Sequence, residues 1–235
     1  SRDEESERAI HVLSRVISRG GRVLFPAFVI ERAQSVALLV MRARATGRIP
    51  AGVPLYTAGL ADSMTGLHRR LLGLDIDNER LYPREWLDGP SSNAPAIIIA
   101  GSGMLNSGSG AARLAEAFLP ERARRNAIIF SGYCTPKSPG GRLLKREKSG
   151  LTGHTHALVN ERIVDVRTDE IHQVHLSCHA SGNELAALLS GMKPRAVILT
   201  HGDRAALAVL SAHLATRGIK DIRIPENGES IAFDN

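Results

Sequence analysis

Ala96-Ile-Ile-Ile-Ala-Gly-Ser-Gly-Met-Leu-Asn-Ser-Gly108, running on into Ala111–Phe118, is the stretch whose reading decides the fold. The unbroken apolar run Ala96–Ala100 suits a strand covered on both faces, and the apolar spacing of Ala111–Phe118 is helical. Strand, glycine-serine loop and helix in that order make one turn of a β-then-α alternation, and the pattern recurs on either side. Upstream, Asp3–Ser18 carries Ile10, Leu13, Val16 and Ile17 at helical spacing and stops at Gly20-Gly21. Arg22–Phe25 is a strand ending at Pro26, Glu31–Ala45 a helix, Val53–Tyr56 a strand and Asp62–Leu72 a helix; downstream, Ala127–Ser131 is a strand. Such alternation implies a parallel sheet flanked by helices, an α/β fold.

From Leu143 to about Leu176 the pattern shortens to a hairpin around Asn160-Glu161, and a domain boundary is expected here. Ser181-Gly-Asn-Glu184 is a capping-box signature opening a helix at Leu185–Leu189. A strand at Ala196–Thr200, a helix at Arg204–Thr216 and short strands at Ile222–Ile224 and Ser230–Phe233 close the chain. Asp88–Pro95, with two prolines, a glycine and two serines, reads as a mobile loop.

Composition narrows the function. The 235 residues are 43% hydrophobic, ample for a core, and no apolar run approaches the ~20 residues of a membrane span. The charged start Ser1–Arg8 does not suit a signal peptide, so a cytoplasmic protein is expected. Cys134 and Cys178 are the only cysteines and read as buried small hydrophobes. The net charge is +6, mostly from arginine, whose planar fork suits phosphate, so a polyanionic partner fits. Aromatic residues are only 4%, which argues against a stacking platform and for recognition of backbone.

Among nine histidines, His179 and His201 stand out, because each ends a strand-like run and precedes a helix. Ligands of parallel α/β sheets sit at the carboxyl ends of strands, so both fall where phosphate or metal binds, side by side if their strands are neighbours. An ordinary loop histidine beside a helix has the same pattern. His154 and His156 share a strand face at i, i+2 spacing but lack a third ligand. The loop Gly101–Gly108 occupies the position of a phosphate-cradling turn; Asn106 stands where a GxGxxG would need its third glycine, and neither a Walker GK[ST] nor a GxSxG elbow occurs.

Four segments, in this order, resemble the β-CASP family of metallo-β-lactamase-fold RNA-processing nucleases: Gly20-Gly-Arg-Val-Leu-Phe-Pro-Ala-Phe-Val-Ile-Glu-Arg-Ala-Gln34, Ala100-Gly-Ser-Gly-Met-Leu-Asn-Ser-Gly108, Ser131-Gly-Tyr-Cys-Thr135, and Ser177-Cys-His-Ala180 with Leu199-Thr-His-Gly-Asp203. The resemblance implies a parallel-sheet β-CASP domain over 1–175 and, over 176–235, the C-terminal part of a metallo-β-lactamase αββα fold. It places the family's SxH motif on His179, an acid or phosphate binder, and its HG[ED] motif on His201, a zinc ligand of a two-zinc centre. Ser102, Gly103, Ser107 and Ser177, with His179, become candidates for contacting phosphate or RNA. A histidine at the second position is typical of the RNA-processing members. The implied function is zinc-dependent phosphodiester hydrolysis in RNA processing or 3′-end maturation. The family's HxHxDH zinc signature does not occur in these 235 residues, so the chain by itself is expected to be inert. A catalytically dead RNA-binding or scaffold paralogue is the alternative, and a homodimer a further expectation. Two smaller departures are Ser181, where relatives often have Asp, and Asp203, where many have Glu.

Overall fold

The computed structural model describes residues 2–77, 94–120, 126–148, 154–167, 170–176 and 179–232, and they form two compact units, Ser1–Cys178 and His179–Asn235. In the first, helix α1 (Arg2–Ser18) opens with Asp3, Glu4 and Glu5 against its own positive dipole end and buries Ala9, Ile10, Leu13, Val16 and Ile17. It ends because Gly20 turns left-handed at φ 80°, letting Gly20 N–H reach Ile17 O (3.0 Å) and Gly21 N–H reach Val16 O (2.9 Å).

Strand β1 (Arg22–Pro26) then lies at the centre of a five-stranded sheet with β2 (Leu55–Ala58), β3 (Ala96–Ala100), β4 (Ala127–Phe130) and β7 (Ile171–Gln173), in the order β2-β3-β1-β4-β7. All pairings are parallel, with Leu24 opposite Ile98 and Ile128 opposite Ile171. The period of two sorts the side chains into two cores. Val23, Phe25, Ile97, Ile99 and Ile129 pack with α1 and helix α2 (Arg32–Ala45). Leu24, Ile98, Ile128 and Phe130 pack with helices α4 (Gly110–Phe118) and α5 (Pro139–Lys148) and with the antiparallel hairpin β5 (His154–Val159) and β6 (Arg162–Arg167). Helix α3 (Leu60–Leu72) follows β2.

The second unit holds helix α6 (Gly182–Met192), strand β8 (Val197–Ile198), helix α7 (Arg204–Thr216) and strand β9 (Ile222–Arg223), with β8 and β9 parallel around Ala186, Val197, Leu199, Leu214 and Ile219. Most of the expected elements are present, within one to three residues. Helix α5, however, was not expected, and from Leu143 on it takes residues assigned above to the hairpin pattern. Ser138-Pro-Gly-Gly reads as a breaker, yet Pro139 takes the first helical position, where no N–H is needed, and Ser138 Oγ accepts from Gly141 N–H at 3.0 Å. The strand expected over Ser230–Phe233 does not form in its described part; the Arg223 guanidinium holds Ala232 O at 2.7 Å instead. Of the loop expected over Asp88–Pro95, residues 88–93 lie outside the described residues.

Helix α1 also grips the stretch that leads out of β7. Arg8 donates to Gln173 O (3.2 Å), and His175 N–H donates to Glu5 Oε2 (2.7 Å). Glu170, 1% exposed, is paired with Arg19 (2.9 Å) and Arg15 (3.3 Å). Burial alone would raise the Glu170 carboxyl, but hydrogen bonds from His172 and Arg19 and the charges of Arg19 and Arg15 outweigh it and hold it below the ordinary carboxylate value. A carboxyl depressed in the folded state stabilises fully above its ordinary range and loses that contribution as pH falls through the folded value. Glu170→Gln should therefore cost about 1–3 kcal/mol at neutral pH. In urea titrations repeated down to about pH 3, the gap between the two proteins should close as the wild-type carboxyl protonates. A gap independent of pH would mean that the cost does not come from the carboxylate charge.

Candidate functional site

The carboxyl ends of β1, β3 and β4 form one rim of the first unit. β1 leads into α2 on one face of the sheet, whereas β3 and β4 lead into α4 and α5 on the other. Neighbouring strands whose connections part to opposite faces leave a crevice between their loops, the usual ligand position in an open parallel sheet.

The loop after β3 is tightly bonded to itself. Ser102 Oγ accepts from Met104 N–H (3.2 Å) and Asn106 N–H (3.4 Å), and Ser102 O accepts from Leu105 N–H (3.2 Å). Gly108 N–H goes to Asn160 Oδ1 in the hairpin turn (2.9 Å), and Ser109 Oγ caps α4 by accepting from Ala112 N–H (3.1 Å). Several backbone donors that could have cradled a phosphate are thus already used within the unit. Gly103 is buried, Ser102 is half-buried and committed to its own turn, and Ser107 is exposed. Of these three candidates Ser107 is the one that presents its side chain outward.

Sequence reasoning gave no role to four residues that build this rim. Arg32 donates to Ser131 O (2.8 Å), and a Cβ on Gly132 would stand 3.5 Å from its guanidinium. Gln34, 3% exposed, donates to Val29 O (3.1 Å) and Thr65 Oγ1 (3.0 Å), fixing the turn between β1 and α2. Phe28 and Tyr133 protrude into solvent, 51% and 60% exposed. All four lie inside the quoted motifs; the missing signal was which motif residues face outward, as Phe28 and Tyr133 do, and which brace a turn from inside, as Gln34 does. Cys134 is buried with its thiol 3.6 Å from Gly103 O, and burial pushes its pKa up to about 11, an inert thiol. Cys178 lies outside the described residues.

His179 and His201 both belong to the second unit. His179 is exposed and stands two residues before Ser181, the N-cap of α6, where both halves of the capping box form: Ser181 Oγ accepts from Glu184 N–H (3.2 Å) and Glu184 Oε2 from Ser181 N–H (2.6 Å). His201 is exposed too, two residues before Asp203, the N-cap of α7, which makes no side-chain cap bond. Its backbone is left-handed at φ 60°, a conformation uncommon outside glycine. Among the described residues, Ile171–Gln173 pairs with the edge of β4, where Ile171 is buried, and β8 pairs with β9. Ser177 lies outside the described residues, His156 is exposed on β5, and Ser102, Gly103 and Ser107 are in the other unit.

Zinc needs about three protein donors. Among the described residues no three His, Cys, Asp or Glu side chains come together as a metal-holding group, so these residues alone do not fit a zinc centre.

Two family models match the chain: the Beta-Casp domain over residues 33–143, and the Zn-dependent metallo-hydrolase RNA specificity domain over 163–225. The chain belongs to the β-CASP family. The β-CASP match takes in Ser102, Gly103, Ser107 and Tyr133, and the RNA specificity match takes in both His179 and His201. The chain is similar to "Transcription termination factor FttA" of Pyrococcus horikoshii, 29% identical over 253 residues. It is also similar to "Cleavage and polyadenylation specificity factor subunit 3-II" of Arabidopsis thaliana (24% over 248 residues) and to "Integrator complex subunit 11 homolog" of Dictyostelium discoideum (23% over 259 residues). These alignments take in 98–99% of this chain but only 34–38% of the relatives, so the chain spans about two-fifths of their length or less.

The cap at α6 sets the entry angle of the chain just after His179. Ser181→Ala removes one half of the reciprocal pair and should cost about 1 kcal/mol of local stability, roughly a fivefold faster amide exchange over 182–192. Ser181→Asp should restore the wild-type rate, and exchange unchanged in the alanine variant would show that the cap is dispensable.

Proposed function

We propose that this chain is the β-CASP and RNA-specificity part of a zinc-dependent ribonuclease that hydrolyses phosphodiester bonds during RNA processing. Residues 1–175 make the β-CASP domain in this reading, and 176–235 the returning metallo-β-lactamase segment. The observation that carries it is the RNA specificity match across His179 and His201, each exposed just ahead of a helix N-terminus. The names of the similar proteins, which speak of termination, cleavage and polyadenylation, support an RNA-processing role. His179 is the candidate acid or phosphate binder, and His201 one candidate donor to a metal. Exposed Leu188, Met192, Ile198 and Val209 on the second unit support self-association as a homodimer.

The isolated chain should bind single-stranded RNA by arginine-phosphate contacts and lose about tenfold or more in affinity between roughly 50 and 200 mM salt. Filter binding indifferent to salt would remove this account. Incubated with zinc, the chain should retain less than one equivalent after dialysis and leave RNA uncut. Cleavage by the pure chain would show that a ligand set exists, with His154 and His156 the first to be mutated.

In a protein whose zinc donors are complete, the two histidines should fail differently. His179→Ala should slow cleavage by about 10²–10⁴-fold with metal content intact, whereas His201→Ala should lower the metal content itself. Equal zinc loss in both variants, or in neither, would show that the roles are assigned wrongly.

A further inference from the structure

Six aromatic side chains fall among the described residues, and four of them, Phe25, Tyr56, Phe118 and Phe130, are buried. The remaining two, Phe28 and Tyr133, are both more than half exposed and both stand in loops at the carboxyl rim of the sheet. Their loops touch the same residues. A Cβ on Gly103 would lie 3.2 Å from Phe28 Cδ2 and 3.1 Å from Phe28 N, so the ring rests against the backbone of the β3 loop where only glycine leaves room. Tyr133 is pinned on both flanks: Gly132 lies against the Arg32 guanidinium, and Cys134 donates its thiol to Gly103 O at 3.6 Å. Gln173 Nε2 holds Gly132 O from a third side at 3.0 Å. Two rings are thus presented from rigid loops at one corner, without a core of their own to fill.

The charge at this rim is mostly positive. The loops after β1, β3 and β4, with the first turn of the helix that follows each, carry Arg32, Arg113, Lys137 and Arg142 against one acid, Glu31. A protein partner for an apolar corner would not need a cationic surround, whereas a polyanion that carries flat apolar rings meets both features at once. We propose that Phe28 and Tyr133 stack on unpaired bases of single-stranded RNA whose phosphates meet the cations of this rim. The inference rests on the RNA reading above and deepens it: the strand is recognised by its bases as well as by its backbone. Low aromatic content had argued against stacking, but composition counts rings without saying where they stand.

The test uses the whole chain and a fluorescein-labelled oligouridylate of about ten nucleotides, with an abasic ribose-phosphate strand of equal length and charge as comparator. Phe28→Leu and Tyr133→Leu keep apolar bulk at exposed positions, and circular dichroism melts verify that both variants fold. Each should weaken oligouridylate binding by about 5- to 100-fold, with the dependence of affinity on salt unchanged. Tyr133→Phe should bind like wild type, and the double leucine variant should bind oligouridylate no better than wild type binds the abasic strand. If the wild-type chain binds oligouridylate but the leucine variants match it, or if the abasic strand binds equally well, the stacking inference is overturned while the RNA reading stands. If the wild-type chain binds no oligouridylate even at low salt, the RNA reading falls and the inference with it, and the corner is then a protein-docking surface.

Discussion

β1, β3 and β4 have no face toward water. Every residue along them is buried, nearly all in one core or the other, and the ladder takes up their backbone groups. A strand covered on both faces can be addressed only at its ends, so whatever the unit recognises must be met by the loops that leave it. Those loops are crowded as a result. A Cβ on Gly140 would sit 2.7 Å from the Phe130 ring and one on Gly141 2.0 Å from Thr135 O, closer than real contacts allow. Glycine at these positions keeps the rim short enough for the loops after β1, β3 and β4 to share residues.

The strands and most helices were readable because burial on both faces leaves an unmistakable run, as at Ala96–Ala100, and because one-sided burial leaves a helical stripe, as in α1. Helix α5 was hidden because its Ser-Pro-Gly-Gly start serves a tight approach whose steric demand is tertiary. The pairing of Ile171–Gln173 with β4 could not be seen either: three residues carry too little pattern to name a partner. The histidines themselves were legible as residues between strand and helix, and the family match covers them. Arg32, Gln34, Phe28 and Tyr133 were spelled out in the motifs but mute as to role, because a motif does not say which side chains point out of the protein and which brace a turn from within.

The second unit shows the opposite economy. Its core is five buried residues with a few partly buried neighbours, and Leu188, Met192, Ile198 and Val209 stay exposed. Local devices hold it: a complete capping box on α6, the pairing of Arg204 with Glu226, and the Arg223 guanidinium bound to Asp221 and Ala232 O. Such contacts at exposed positions are worth a few tenths of a kcal/mol to about one each. Both candidate histidines are therefore carried by elements whose stability is modest.

The grip of α1 on the end of β7 also bears on the order of events during synthesis. Its bonds join residues 165 and 170 positions apart, Arg8 to Gln173 and Glu5 to His175. A ribosome makes the helix first and its clasp last, so while the intervening chain emerges the polar clasp of α1 has no partner. Closing so long a loop is slow, and contacts of that separation are the kind that delay folding. The first unit is then finished only once the segment leading to His179 has been made. Until that moment the free edge of β4 is open to strands from other nascent chains, which makes the clasp a guard against aggregation as much as a brace for the finished protein.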